Sequence, residues 1–188
     1  MSVEADVIAM FDEAQNRFGP LTGVVINAGI IAPPSPLADI TLERLQRIFA
    51  VNILGAYLCA RESARRMARD RGGQGGSMVL VSSAAARLGS PSEFVDYAGS
   101  KAALDTLTIG LSKELGRSGV RVSAVRPGLI ETDIHASGGQ PDRAQRLGAT
   151  TPIGRAGKVE EIAEPIVWLL TDAASYVTGA ILDVAGGR

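Results

Sequence analysis

A single cysteine, a single histidine, three lysines and only eight aromatic residues stand in this chain of 188. The lone Cys59 has no partner for an internal disulfide, and together with His135 it cannot assemble a zinc site of the usual ligand type. Cys59 reads instead as a small buried hydrophobe on a helix. The formal net charge is -1, from 19 basic and 20 acidic residues spread along the chain. Such a balance gives no field suited to a phosphate backbone or an anionic bilayer, so nucleic acid and membrane are excluded as partners. No apolar run approaches the length that spans a bilayer. The opening MSVEADVIAMF has no basic segment, apolar stretch and small-residue cleavage site in succession, which places the chain in the cytoplasm. What is present is the makeup of one soluble globular domain, 46% hydrophobic and 21% charged, with enough apolar surface for a core. No repeat, linker or low-complexity segment suggests a second domain.

Val7, Phe11, Ala14 and Phe18 recur at helical spacing and stop at Gly19-Pro20, predicting an amphipathic helix with a breaker behind it. GVVINAGI follows, and its core, Val24 to Ile26, is apolar on both faces, as a central parallel strand covered by helices would be. A proline-rich loop, APPSP, leads to Thr41, a candidate N-cap, and to one long helix from Leu42 to about Arg69. RGGQGG ends that helix and reads as a flexible turn, while the arginine run RESARRMARDR before it reads as a solvated helix end whose positive charge suits the dipole. SMVLVSS is a second buried strand, KAALDTLTIGLSKELG a helix, VRVSAVRPG a third strand, Val159 to Leu170 a helix, and AILDV a last strand. Pro165 lies inside that final helix, where it removes a backbone donor and should bend it. Alternating strands and helices give an α/β, doubly wound fold with a mostly parallel sheet.

The stretch VDYAGSKAAL places Tyr97 and Lys101 four residues apart in a helical pattern, so their side chains share one face. A phenol titrates near 10, and a neighbouring ammonium favours its phenolate. Held against an alcohol or carbonyl oxygen, such a tyrosine gives or takes a proton. Ser82 and Ser83 end the second strand, at the carboxyl edge where parallel sheets place ligands, and a hydroxyl there can bond the reacting oxygen.

Six motifs in order now carry a resemblance over essentially the whole chain: NAG at 27–29, Asn52 in FAVNILGAY, VSS at 81–83, YAGSK at 97–101, RPGLIET at 126–132 and the end YVTGAILDVAGG. They resemble the short-chain dehydrogenase/reductase family, with its Rossmann-like fold. The resemblance implies hydride transfer between NAD or NADP and an alcohol or ketone substrate. By position, Tyr97 would be the general acid or base, and Lys101 would lower its pKa and bond the nicotinamide ribose. Ser83, the second serine of its pair, would orient the substrate oxygen, and Asn52 would hold a water linking Lys101 to a proton relay. Asn27, Ala28 and Gly29 would line the cofactor cleft, Pro127 and Gly128 would shape the backbone beside the nicotinamide, and Ile130 and Thr132 would contact its carboxamide or the phosphates. Ala185 stands where the family often has an acidic residue.

Family members open with a strand, a glycine-rich turn, a helix and a second strand that chooses between the two cofactors. MSVEADVIAMF resembles the family's helix after its third strand, so the chain reads as a single domain, 1–188, without the first two βαβ steps, about 55 residues. Gly72, Gly73, Gly75 and Gly76 precede a strand and cannot replace that turn, since a pyrophosphate cradle needs a strand before it and a helix after it. The strand at Val24 to Ile26 then becomes an apolar edge that invites pairing with another chain. A serine hydrolase is a poor alternative: His135 is its only imidazole and reads as an exposed loop residue, and no G-x-S-x-G elbow exists. The resemblance implies a homodimer or homotetramer built through the helices, and the other alternative it leaves is a non-catalytic remnant acting as an oligomerisation or regulatory subunit.

Overall fold

The computed structural model describes residues 2–188. The first helix, α1 (Glu4–Phe18), stops at Gly19, and the chain then enters β1 (Gly23–Ile26). After the proline-rich loop, Thr41 caps α2 (Leu42–Phe49) by accepting from the Arg44 amide at 3.3 Å. The expected single long helix is interrupted: Ala50–Gly55 forms a π-helical turn before α3 (Ala56–Met67) resumes. A π turn inside an α-helix spends one extra residue per turn and commonly marks a functional position. Asn52 sits in this one, fully buried.

The chain continues through β2 (Gly76–Val81), the short α4 (Ala85–Leu88), α5 (Val95–Leu115) and β3 (Val120–Pro127). Two short helices, α6 (Ile134–Ser137) and α7 (Arg143–Gly148), precede α8 (Glu160–Leu170) and β4 (Ile181–Val184). Helix α8 runs through Pro165 to Leu170. The four strands are parallel and lie in the order β1-β2-β3-β4, each reached by a crossover that covers a face of the sheet.

Strand alternation sends neighbouring residues to opposite cores. Met78, Leu80, Val122 and Ala124 join Val7 and Phe11 of α1, Cys59 and Met67 of α3 and Leu104 of α5 on one face. Val79 and Val125 join Ile162 and Leu169 of α8 on the other. Each fully buried Met, Leu or Val of this set contributes about 1.5–3 kcal/mol. β1 pairs with β2 alone and is an edge; Val25 is 40% exposed and Phe18, at the end of α1, 81%.

Two connections differ from expectation. The glycine turn before β2 is packed, not loose: the Gly75 amide donates to Met67 O at 2.7 Å and the Gly76 amide to Gly119 O at 2.9 Å. A Cβ on Gly76 would stand 2.0 Å from Thr22 O, with φ at +141°, so close backbone approach is what the glycines serve. The arginine run is no free solvated end either. Glu62, buried in α3, takes ion pairs from Arg61, Arg65 and Arg66, and Arg61 and Arg66 also reach Glu4 and Asp12 of α1. Among the described residues no helix is long and apolar enough to cross a membrane, and no three His, Cys, Asp or Glu side chains gather as a metal site.

Candidate active site

β1, β2 and β3 end along one rim, and α5 begins beside it. The start of α5 is anchored on both sides of residue 95. Phe94 is buried, and Asp96 receives two bonds from Arg44 of α2, Nε to Oδ2 at 2.7 Å and Nη2 to Oδ1 at 3.1 Å. Arg44 Nη1 also donates to Pro33 O at 2.5 Å, tying the proline-rich loop to the same point. Burial by itself would raise the Asp96 carboxyl, but the Arg44 guanidinium and backbone amides outweigh it and hold the carboxyl below its ordinary value.

One turn into α5, Tyr97 and Lys101 share a face. The Lys101 ammonium lies 5.8 Å from the centre of the Tyr97 ring and donates to Val81 O, the last residue of β2, at 2.7 Å. Lys101 is 3% exposed. Its burial pushes its pKa down to about 8, opposed by the charge of Asp105. The expected lowering of the phenol by this lysine does not prevail. Burial of the Tyr97 ring raises its pKa, opposed only by a hydrogen bond with Ser83.

The two serines of the strand end divide their tasks. Ser82 is buried and donates to Lys101 O at 3.1 Å, a structural bond between β2 and α5. Ser83 is half-buried, accepts from the Ala85 amide at 3.1 Å, and its hydroxyl lies close enough to the Tyr97 phenol to favour the phenolate. Ser83, not Ser82, is therefore the serine beside the tyrosine.

Asn52 holds the loop after β1 through its side chain. Its Oδ1 accepts from the Ile30 amide at 2.8 Å, and its Nδ2 donates to Ile30 O at 2.9 Å and to Ser100 Oγ at 3.0 Å. The Ser100 hydroxyl in turn donates to the backbone carbonyl of Tyr97 at 2.7 Å. The amide of Asn52 is thus occupied by protein partners. A Cβ on Gly29 would lie 3.2 Å from Lys101 Nζ and 3.5 Å from Asn52 Oδ1, so this glycine lets the loop close over both groups.

Asn27 and Ala28 lie exposed at the open end of β1. Pro127 ends β3 and its carbonyl accepts from the Ala84 amide at 2.9 Å. Gly128 continues the ladder by donating to Val184 O at 3.0 Å; a Cβ there would meet Ala185 Cα at 2.6 Å. Ile130 has its side chain packed in the α8-side core. Its carbonyl meets His135 Nε2 at 2.9 Å. His135 is consequently half-buried, not exposed, and burial lowers its pKa. Thr132 is exposed.

Residues that sequence reasoning passed over complete the site: Arg44, Asp96 and Ser100, and beneath them Asp105 with Arg126. Ser100 stood within the quoted YAGSK motif and Asp105 one turn beyond Lys101, so spacing could have singled them out. Arg44 is 52 positions from Asp96, and no local pattern links them.

The sequence profile of a family described as enoyl-(acyl carrier protein) reductase matches residues 1–188. An uncharacterized oxidoreductase of Escherichia coli (strain K12), YgfF, is 50% identical over 188 residues, covering 100% of this chain and 76% of that protein. A chloroplastic NADPH-dependent aldehyde reductase-like protein of Arabidopsis thaliana is 35% identical, covering 100% of this chain and 68% of its own length. The crystal structure of a 3-ketoacyl-(acyl-carrier-protein) reductase from Brucella melitensis, complexed with NADH, superposes with a TM-score of 0.92 at 31% identity, over 100% of this chain and 75% of that one. With Ser83, Tyr97 and Lys101 gathered at the carboxyl edge of a parallel sheet and relatives of this kind over its whole length, the chain belongs to the short-chain dehydrogenase/reductase family of NAD(P)-dependent oxidoreductases.

Proposed function

We propose that this chain transfers a hydride between NADP or NAD and the carbon of a small alcohol, aldehyde or ketone, with Tyr97 as general acid and base. The observation that carries the reading is the Tyr97 phenol set between the Ser83 hydroxyl and the buried Lys101 ammonium. The residues fit the nicotinamide end of the cofactor. Lys101 spends one N–H on Val81 O, and its others suit ribose hydroxyls. Gly29, without a side chain, lets its loop approach Lys101 and Asn52 without crowding the ammonium. Gly72 to Gly76 lie at the amino end of β2, the opposite edge of the sheet, and take no part in this cleft. The bound nicotinamide supplies or accepts the hydride at the substrate carbon.

In carbonyl reduction the phenol gives its proton to the substrate oxygen, and in alcohol oxidation it takes one back. Ser83 holds that oxygen by a hydrogen bond. A phenol held protonated by desolvation is ready as the proton donor of carbonyl reduction, and the Lys101 ammonium stabilises the phenolate left after donation. Asn52 keeps Gly29 and Ile30 seated over the ammonium. The names of the relatives, an NADPH-dependent aldehyde reductase-like protein and a reductase complexed with NADH, support a carbonyl substrate and leave both cofactors to be tried. Titrating the chain with NADPH and with NADH by nicotinamide fluorescence tests the cleft. Saturable binding of at least one, lost in Lys101→Ala, is expected; no binding at millimolar cofactor would overturn it.

A second reading, an assembling subunit without catalysis, is favoured by a surface outside the cleft. Phe49, Leu54 and Tyr57 are 40–50% exposed on one side of α2, the π turn and α3, and they line an apolar depression with Ala50 and Ile53. Such a patch suits a second copy of the chain. Assembly through this patch is compatible with either reading, since its lining does not include Tyr97 or Lys101; turnover decides between them.

A further inference from the structure

Lys101 is not the last charged group on its helix face. Asp105 follows it by one turn, is 7% exposed, and accepts on a single oxygen, Oδ2, from Arg126 Nε at 3.0 Å and Nη2 at 2.8 Å. Its other oxygen, Oδ1, is buried and has no hydrogen-bond partner among the described residues. An orphaned carboxylate oxygen costs desolvation unless a nearby positive charge compensates it. Arg126 sits at the end of β3, with Asp183 of β4 3.7 Å from its Nη1.

We propose that Asp105 is a positioning residue for proton transfer: its buried carboxylate, one helical turn beyond Lys101 and gripped on one side by Arg126, keeps the Lys101 ammonium charged beside Tyr97. The proposal rests on Tyr97 and Lys101 being the proton-transfer pair. A lysine this deeply buried would otherwise shed its proton within the range where enzymes work, and a neutral amine gives a phenolate no support. The charged and titratable groups around it are few. α5 contributes Tyr97 and Asp105, β3 contributes Arg126, and β4 contributes Asp183 beyond it. The π turn offers the neutral Asn52, the β1 loop Gly29, and β2 a backbone carbonyl. Asp105 is thus the anion on Lys101's own helix face, and Arg126 tempers it. The charge set on Lys101 depends on the balance of this ion pair.

That balance gives a test which stability alone cannot imitate. Removing the anion and removing the cation of one ion pair both weaken the fold, but they move Lys101 in opposite directions. The chain has three lysines, and Lys113 and Lys158 are exposed, so isotope-labelled lysine followed by NMR resolves Lys101 against two internal references. In the cofactor-free protein, Asp105→Asn is expected to lower the Lys101 midpoint by about one pH unit, and Arg126→Met to raise it. Shifts in the same direction, or no shift in either variant, overturn the proposal. Should Asp105→Asn fail to fold, Arg126→Met decides alone: a rise sustains the proposal and an unmoved midpoint ends it. Because this titration needs no turnover, a chain that proved inactive would defeat the hydride-transfer reading while leaving the Lys101 result to stand or fall separately. In an active chain, Asp105→Asn is also expected to bring the alkaline loss of kcat/KM to lower pH.

Discussion

Replacing Arg44 with methionine cuts the tie between α2 and the first turn of α5 while preserving most of the side-chain stem. In the folded protein the Asp96 side chain is 0% exposed and that of Arg44 16%. Removing one partner of such a buried pair typically costs about 3–5 kcal/mol. Backbone amides near Asp96 still favour its carboxylate, which puts the expected loss at or below the lower end of that range, about 2–3 kcal/mol. For a domain of this size that is a fall in Tm of roughly 4–12 °C. The pH dependence has a definite sign. The folded-state pKa of Asp96 is depressed, so the pair's contribution is complete above the unfolded aspartate value of about 3.9 and is lost as pH falls through the lower folded value. Melting curves of both proteins by circular dichroism, from neutral pH down to the acid limit of folding, should therefore show a gap that is constant above pH ~5 and closes in acid. A gap below ~1 °C at neutral pH, or one that stays undiminished after Asp96 is protonated, would refute the reasoning.

Asn52→Ala leaves the Ile30 amide and carbonyl without partners, so the Ile30 amide should exchange with solvent at least about tenfold faster, with a stability loss of about 2–4 kcal/mol; hydrogen exchange and urea unfolding read the two effects, and an Ile30 amide as protected as in the parent would deny Asn52 its holding role. Sedimentation equilibrium should show the chain self-associating through the exposed apolar surface of β1, α2 and α3. Tyr57→Glu should weaken that association if the α2–α3 face carries it, and a monodisperse parent monomer at high micromolar concentration would exclude it.

Sequence alone disclosed the elements whose signals are local. The apolar run Met78 to Val81, and Val122 to Val125 with Ser123 as its one polar member, are buried on both faces, and that doubled burial is what a run without polar alternation encodes. The edge character of β1 came from the family resemblance and not from its own residues, which read as a central strand; in the sheet β1 pairs with β2. Long-range ties were not legible. The Arg44–Asp96 and Arg126–Asp105 pairs join residues 52 and 21 positions apart, and no periodicity announces which arginine meets which carboxylate. The π turn was hidden for another reason: Leu42 to Met67 keeps helical composition throughout, and the extra residue is accommodated by packing around Asn52 rather than marked by glycine or proline. The acidity of Tyr97 likewise depends on burial. Four-residue spacing places a lysine alongside, but the structure spends one N–H of that lysine on a backbone carbonyl and leaves the phenol half-buried, with partial desolvation raising its pKa.

The most direct test of the account compares the parent protein with Tyr97→Phe in the reduction of a panel of aldehydes and ketones, following consumption of NADPH and of NADH. The substitution removes a hydroxyl and nothing else from the cleft. Turnover by the parent, with a loss of about 10²–10⁴-fold in the variant and unchanged cofactor binding, is the predicted result. A variant that keeps more than about a tenth of the parent rate would show that the proton moves through another group, and Tyr97 would lose its assigned place.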